Sequence, residues 1–197
     1  MTRYTLIMII ALLQLSAPLR AQERGEGDFA LAVTGGAGYS HYLYDVEAPT
    51  DIARSGVSAN LRLMWHPDHR LRVGIESGWS RFYHYSVDAV ETSFGTTDVS
   101  LSLSAVPLLL VFSMPVLPSL ELFAGTGGYF VRSHASSFGS TVDVTAFSQG
   151  WMAAAMWTAG EWKGFRFGTE VKWYGATQFD DGVLVVQLQC SADLLRW

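Results

Sequence analysis

Along Phe165-Arg-Phe-Gly-Thr-Glu-Val-Lys-Trp-Tyr174, side chains alternate with a period of two. Phe165, Phe167, Thr169, Val171 and Trp173 fall on one face, and Arg166, Gly168, Glu170, Lys172 and Tyr174 on the other. Helical spacing would scatter these charges around a cylinder, so the stretch predicts a strand. Its length matches the roughly 9–11 residues that a tilted strand needs to cross a bilayer.

The same rhythm recurs. A first strand over Phe29 to Tyr39 sets Phe29, Leu31, Val33 and Ala37 against Ala32, Thr34, Gly36 and Gly38. After a polar segment, His41 to Arg54, a second alternates Val57, Ala59, Leu61, Leu63 and Trp65 with Ser58, Asn60, Arg62 and Met64. His66-Pro-Asp-His69 supplies turn chemistry. A third strand places Leu71, Val73, Ile75 and Trp79 opposite Arg72, Gly74, Glu76, Gly78 and Ser80. Tyr83 to Thr97 then reads as a long loop. The fourth strand opens with Val99, Leu101, Leu103 and Ala105 against Ser100, Ser102 and Ser104, and its alternation fails after Pro107, where a bulge is expected. Met114 to Ser119 predicts a short turn. A fifth strand opposes Leu120, Leu122, Ala124, Thr126 and Phe130 to Glu121, Phe123, Gly125, Gly127 and Tyr129. Ser133 to Val142 reads as a loop, and a sixth strand, Val144 to Trp157, sets Phe147, Trp151, Ala153, Ala155 and Trp157 against Ser148, Gly150, Met152, Ala154 and Met156. A turn over Ala159 to Glu161 leads into the stretch at Phe165. Gly175 to Gly182 makes a last loop before an eighth strand, Val183 to Trp197.

Composition narrows what such a set of strands can be. The chain is 49% hydrophobic and 16% charged, apolar for a soluble domain and too charged for a helical membrane bundle. Met1-Thr-Arg3, the apolar run Leu6 to Leu15 and the small-residue site Leu19-Arg-Ala21 predict a signal peptide over residues 1–21, cleaved near Ala21, with residues 22–197 forming one barrel domain. Removing Arg3 and Arg20 takes the formal charge from −5 to −7, which argues against nucleic acid as a partner. Cys190 is the single cysteine, so no internal disulfide can form. Beyond the leader no apolar run reaches the length of a spanning helix. A chain that enters a membrane on these segments must therefore close into a barrel, which pairs every backbone group.

Alternation alone also fits a soluble lipocalin-like barrel with its apolar face inward. Two features favour the opposite orientation. The polar face is rich in small residues (Gly36, Gly38, Gly74, Gly78, Ser100, Ser102, Ser104, Gly125, Gly127), which suit the narrow interior of an eight-stranded barrel. Large aromatics on the apolar face gather near strand ends in two girdles: Tyr39, Trp79, Phe130, Phe147 and Trp173 at one interface, Phe29, Trp65, Trp157, Phe165 and Trp197 at the other. A lysine or arginine facing lipid at the midplane costs about 2–4 kcal/mol. The expectation is therefore an all-β, eight-stranded antiparallel up-and-down transmembrane barrel. Arg62, Arg72, Arg166 and Lys172 should meet Glu76, Glu121 and Glu170 in one lumenal ion network across strands two, three, five and seven.

Leu71-Arg-Val-Gly-Ile-Glu-Ser-Gly-Trp79, Leu103-Ser-Ala-Val-Pro-Leu-Leu-Leu110 and Leu120-Glu-Leu-Phe-Ala-Gly-Thr-Gly-Gly-Tyr129 resemble strands of the small outer-membrane β-barrel family, the group of OmpA-, OmpX- and OmpW-like proteins. The resemblance spans the mature chain. It implies residence in the outer membrane of a double-membraned bacterium, periplasmic termini and contact with outer-membrane lipid and lipopolysaccharide. It also implies a terminal aromatic, here Trp197, read by the barrel assembly machinery. In the eighth strand Trp197 and Leu195 share a face with Asp193, Ser191, Gln189 and Gln187, so a bulge near Asp193 is needed to turn the aromatic outward.

A filled polar lumen points to a monomeric structural or surface-interaction protein, adhering or binding a partner through loops that carry Asp45, Glu47, Asp51, Asp88, Glu91, Asp143, Asp180 and Asp181. The alternatives are a narrow channel, or a lateral route for small apolar molecules such as OmpW-like proteins suggest. His134-Ala-Ser136 is similar to the His-x-Ser of outer-membrane lipid A deacylases, where histidine activates serine for acyl attack, but Ser137 stands where that family has asparagine. An enzyme is not expected, nor is any cofactor or metal site. His66 and His69 flank a turn and are too few ligands for a metal.

Overall fold

The computed structural model describes residues 29–43, 54–67, 70–92, 95–137, 140–177 and 182–196. Its strands are β1 (Ala30–Tyr42), β2 (Ser55–His66), β3 (Arg72–Thr92), β4 (Gly95–Leu117), β5 (Leu120–Ser137), β6 (Ser140–Trp162), β7 (Phe165–Ala176) and β8 (Val183–Arg196). Each pairs antiparallel with its sequence neighbour, and β8 returns to β1, closing an up-and-down barrel. Residues 1–21, Trp197 and His69 lie outside the described residues, as do Asp45, Glu47, Asp51, Asp180, Asp181 and the side chains of Asp88 and Glu91.

Large apolar side chains face outward: Leu61 is 60% exposed and Leu188 73%, while Arg62, Glu76, Glu170 and Lys172 are each 0% exposed. A soluble barrel would invert this, because exposed leucine and buried lysine are both unfavourable when water is outside. Along β6, Phe147 and Trp157 lie ten residues apart on this outward face. At about 3.3 Å rise per residue and a tilt of about 40°, that spans roughly 25 Å, the height of a lipid-facing band.

Five parts of the strand reading are corrected, the first being the Met114–Ser119 turn, which is confined to Pro118 and Ser119 because β4 continues to Leu117. In the segments Tyr83–Thr97 and Ser133–Val142, expected as loops, the described residues are strand: β3 runs to Thr92 and β4 starts at Gly95, β5 runs to Ser137 and β6 starts at Ser140. The turn expected over Ala159–Glu161 falls at Lys163–Gly164, where both residues take positive φ (51° and 82°), and β6 continues to Trp162. On β4 the faces are the reverse of those expected: Leu103 and Ala105 point inward with Leu109, Val111 and Ser113, while Val106, Leu108, Leu110 and Phe112 point outward. No bulge sits at Pro107. The ladder to β5 holds one register from Ser100↔Ser136 to Pro115↔Glu121. The ladder to β3 is interrupted, without shifting, between Ser77↔Leu108 and Ser80↔Ala105, and this gap spans the proline that has no N–H to give.

The cause is environmental. The inward face of β4 is apolar from Leu103 to Val111, while its outward face changes from Ser102 and Ser104 to Val106 and Leu108 where the surroundings change from water to lipid. Near Val106 both faces are apolar, so the period of two disappears from the sequence while the strand continues. The bulge expected near Asp193 is present: Leu31 pairs with Leu195 and Ala32 with Asp193, leaving Leu194 as the extra residue.

Candidate functional site: the lumen and the outer rim

Four ionised side chains meet across the barrel. Arg62 on β2 donates from Nε to Glu76 Oε2 on β3 at 2.7 Å and from Nη2 to Glu170 Oε1 on β7 at 2.6 Å. Lys172 Nζ donates to Glu76 Oε1 at 2.8 Å and lies 3.5 Å from Glu170 Oε1. The set is neutral, two cations against two anions, which is the condition for keeping charge out of water. Its remaining lone pairs are also used. Tyr174 Oη donates to Glu76 Oε1 at 2.9 Å, Asn60 Nδ2 to Glu76 Oε2 at 3.3 Å, and Gln189 Nε2 to Glu170 Oε2. Gln189 also donates to Asn60 and Gln187, and Gln187 donates to Ser58 at 3.0 Å. The Arg62 guanidinium covers the Phe123 ring at 4.0 Å.

The remaining expected ion partners form two separate pairs toward the short-turn end. Arg72 Nη1 meets Glu121 Oε1 at 2.8 Å, where Ser113 Oγ also donates. Arg166 Nη2 meets Asp193 Oδ1 at 2.8 Å, and Arg196 grips the second oxygen of Asp193. The structure thus divides the single network expected from sequence into three groups, and β5 contributes to only one of them. Asp193, Asn60, Gln187 and Gln189 were missed as members. The alternation Gln187, Gln189, Ser191, Asp193 on one face of the last strand was the signal available.

β4 to β6 fill their share of the lumen with different material: Leu109, Val111, Phe123, Tyr129, Met152, Ala154 and Met156, all buried. The ion cluster and these residues are buried side by side around the same lumen.

The outward aromatics stack in pairs. Phe130 and Phe147 meet edge-on at 5.6 Å between centroids, and Trp173 meets Trp151, a neighbour not expected in the girdle, at 6.1 Å. Phe29 stacks on Trp65 at 6.5 Å toward the other end, where Trp157 and Phe165 are also exposed. Tyr39 and Trp79 face outward with the first group.

Beyond Phe130 and Phe147 the β5–β6 hairpin leaves the apolar band. There His134 Nδ1 and Asp143 Oδ1 are hydrogen-bonded at 2.9 Å, and Arg132 Nη2 lies 3.4 Å from the same oxygen. The bond to His134, helped by the Arg132 charge, holds the Asp143 carboxyl below its ordinary value. Ser136 lies two residues from His134, and the register sets it opposite Thr141.

No family model matches the chain, and no curated protein sequence matches it. Solved structures do. A major outer membrane protein from Thermus thermophilus is similar at a TM-score of 0.54 and 9% identity, over 84% of this chain and 99% of that one. Ail, the attachment invasion locus protein of Yersinia pestis, is similar at 0.46 and 13%, over 88% and 100%. Neisserial surface protein A is similar at 0.42 and 12%, over 87% and 100%. At these identities the likeness is one of fold: the chain has the fold of an eight-stranded outer-membrane β-barrel.

Proposed function

We propose that this protein is a monomeric barrel of the outer membrane of a double-membraned bacterium, with both termini periplasmic, acting as a structural or surface-interaction protein without enzymatic activity. The observation that carries this reading is the filled lumen: the neutral Arg62, Glu76, Glu170 and Lys172 cluster, fully buried and with Arg62 over the Phe123 ring, occupies the cylinder where a pore would need water. Function then belongs to the surface. β3 to β6 continue past the girdle as a protruding sheet, by about 18 Å beyond Phe130 on β5 at about 3.3 Å per residue and a tilt of about 40°. Among the described residues the ladder of β6 to β7 stops at Gly150, so most of the protruding part of β6, from Ser140, pairs with β5 alone. Its Thr141, Val142, Val144 and Thr145 form an exposed β-branched edge suited to an extended partner strand.

Deleting residues 88–95 and 135–142 should abolish binding of whole cells to their surface partner while the barrel still migrates faster unboiled than boiled. Stable conductance in planar bilayers, abolished by Glu76→Ala, would contradict the filled lumen. A hydrolase reading is favoured by one contact, the Asp143 carboxylate that orients His134 as an acid orients a catalytic base. It predicts ester hydrolysis of lipid A by detergent-solubilised protein, lost in both His134→Ala and Asp143→Asn; no hydrolysis by wild type removes it.

A further inference from the structure

The register aligns the outward side chains of the protruding sheet into rows across neighbouring strands. Arg81 on β3 pairs with Ser104 on β4, and Ser104 pairs with Arg132 on β5. One step further out, His84, Ser102, His134 and Asp143 form the next row. One step inward on the same face lie Trp79, Val106 and Phe130, the last residues of the apolar band, with Leu108 and Leu110 exposed below them. The first polar row outside the lipid-facing surface is therefore two arginines flanking a serine.

We propose that Arg81, Ser104 and Arg132 bind the phosphorylated headgroup of a lipid whose acyl chains lie against Val106, Leu108 and Leu110. This rests on the reading that the outward face is embedded in the membrane. Arg81 and Arg132 are separated by two strand spacings, about 10 Å, a gap their side chains are long enough to bridge above Ser104 by turning from Trp79 and Asp143, where they now rest, toward a shared anion. Both are exposed: the Arg132 side chain at 65%, and Arg81 with its guanidinium 5.4 Å from the Trp79 ring, at the level where a girdle tryptophan meets headgroups. Guanidinium pairs phosphate oxygens in bidentate geometry, and two of them with a hydroxyl donor match one phosphate better than either alone. Among the described side chains of these two rows Asp143 is the single anion. It is shared by Arg132 and His134, so the patch keeps positive charge. The alignment with the apolar strip selects a lipid over a free phosphate, because a soluble anion gains nothing from Val106 and Leu108.

The probe is lipid A carrying its phosphates, compared with the same lipid dephosphorylated and with inorganic phosphate, titrated onto folded protein in detergent and read by native mass spectrometry. Wild type should hold the phosphorylated form about tenfold more tightly than the dephosphorylated form, and Arg81→Gln/Arg132→Gln should lose that preference. Asp143→Asn, which frees Arg132, should tighten phosphorylated lipid several-fold. Equal affinity for the two lipids in wild type, an unchanged preference in the double variant, or inorganic phosphate binding as tightly as the lipid would each overturn the site. Unboiled gel mobility separates the two levels of failure. A wild-type chain that never runs as the compact form contradicts the membrane barrel itself, whereas a compact chain without phosphate preference contradicts only this patch.

Discussion

The half of the lumen built by β1 to β3, β7 and β8 and the half built by β4 to β6 fill the same cylinder by opposite means. The first presents Thr34, Ser58, Asn60, Arg62, Glu76, Glu170, Lys172, Gln187 and Gln189, tied by directional bonds that reach from β2 and β3 across to β7 and β8. The second is mostly apolar, and its Leu109, Val111, Met152 and Met156 need only fit in volume. The polar half links particular strands by directional bonds, so the loss of one charged member leaves an opposite charge buried with fewer partners. The apolar half is adaptable. Because Arg62 and Lys172 bind acids on strands that are not their neighbours, they tie β2 and β3 to β7 across the lumen.

The contrast breaks most visibly at Lys172. Lys172→Met keeps the length of the side chain but leaves Glu76 and Glu170 sharing one cation, and removing one partner from a buried ionic set costs about 3–5 kcal/mol. The midpoint of urea unfolding in detergent should fall accordingly, and a change below about 1 kcal/mol would show that the set is dispensable. Replacing the whole set, Arg62→Met, Glu76→Leu, Glu170→Leu and Lys172→Met together, should restore stability to that of wild type or exceed it by about 1–4 kcal/mol, since apolar groups of similar volume often equal or better a buried ion set. If the quadruple variant is less stable than Lys172→Met, the polar half contributes more than mutual neutralisation. In the apolar half, Met152→Leu should cost less than about 1.5 kcal/mol. A loss as large as that of Lys172→Met would erase the distinction between the halves.

These halves also explain what the sequence revealed. β7 was legible because its outside is apolar and its inside charged, so Phe167 and Val171 against Glu170 and Lys172 left one orientation open. β4 was misread because its inside is apolar as well. Leu103 and Ala105 looked lipid-facing only by contrast with the serines beside them, which in fact face outward above the membrane. The protruding hairpins were missed because strands in water lack the lipid-facing stripe. Only the β-branched run Thr141 to Thr145 marked β6 there. Apart from Asp193 and Arg196, the ion partners were found by charge, but their grouping into a quartet and two smaller sets depends on stagger between strands that a linear pattern does not carry.

The central claim is that Leu61, Val171 and Leu188 meet hydrocarbon while Met152, Met156 and Lys172 are enclosed. Methyl NMR in nanodiscs whose lipids carry a nitroxide on the acyl chain tests it directly. The account predicts strong broadening of Leu61, Val171 and Leu188 methyls with Met152 and Met156 spared. Broadened methionine methyls beside sharp Leu61 and Leu188 would contradict it.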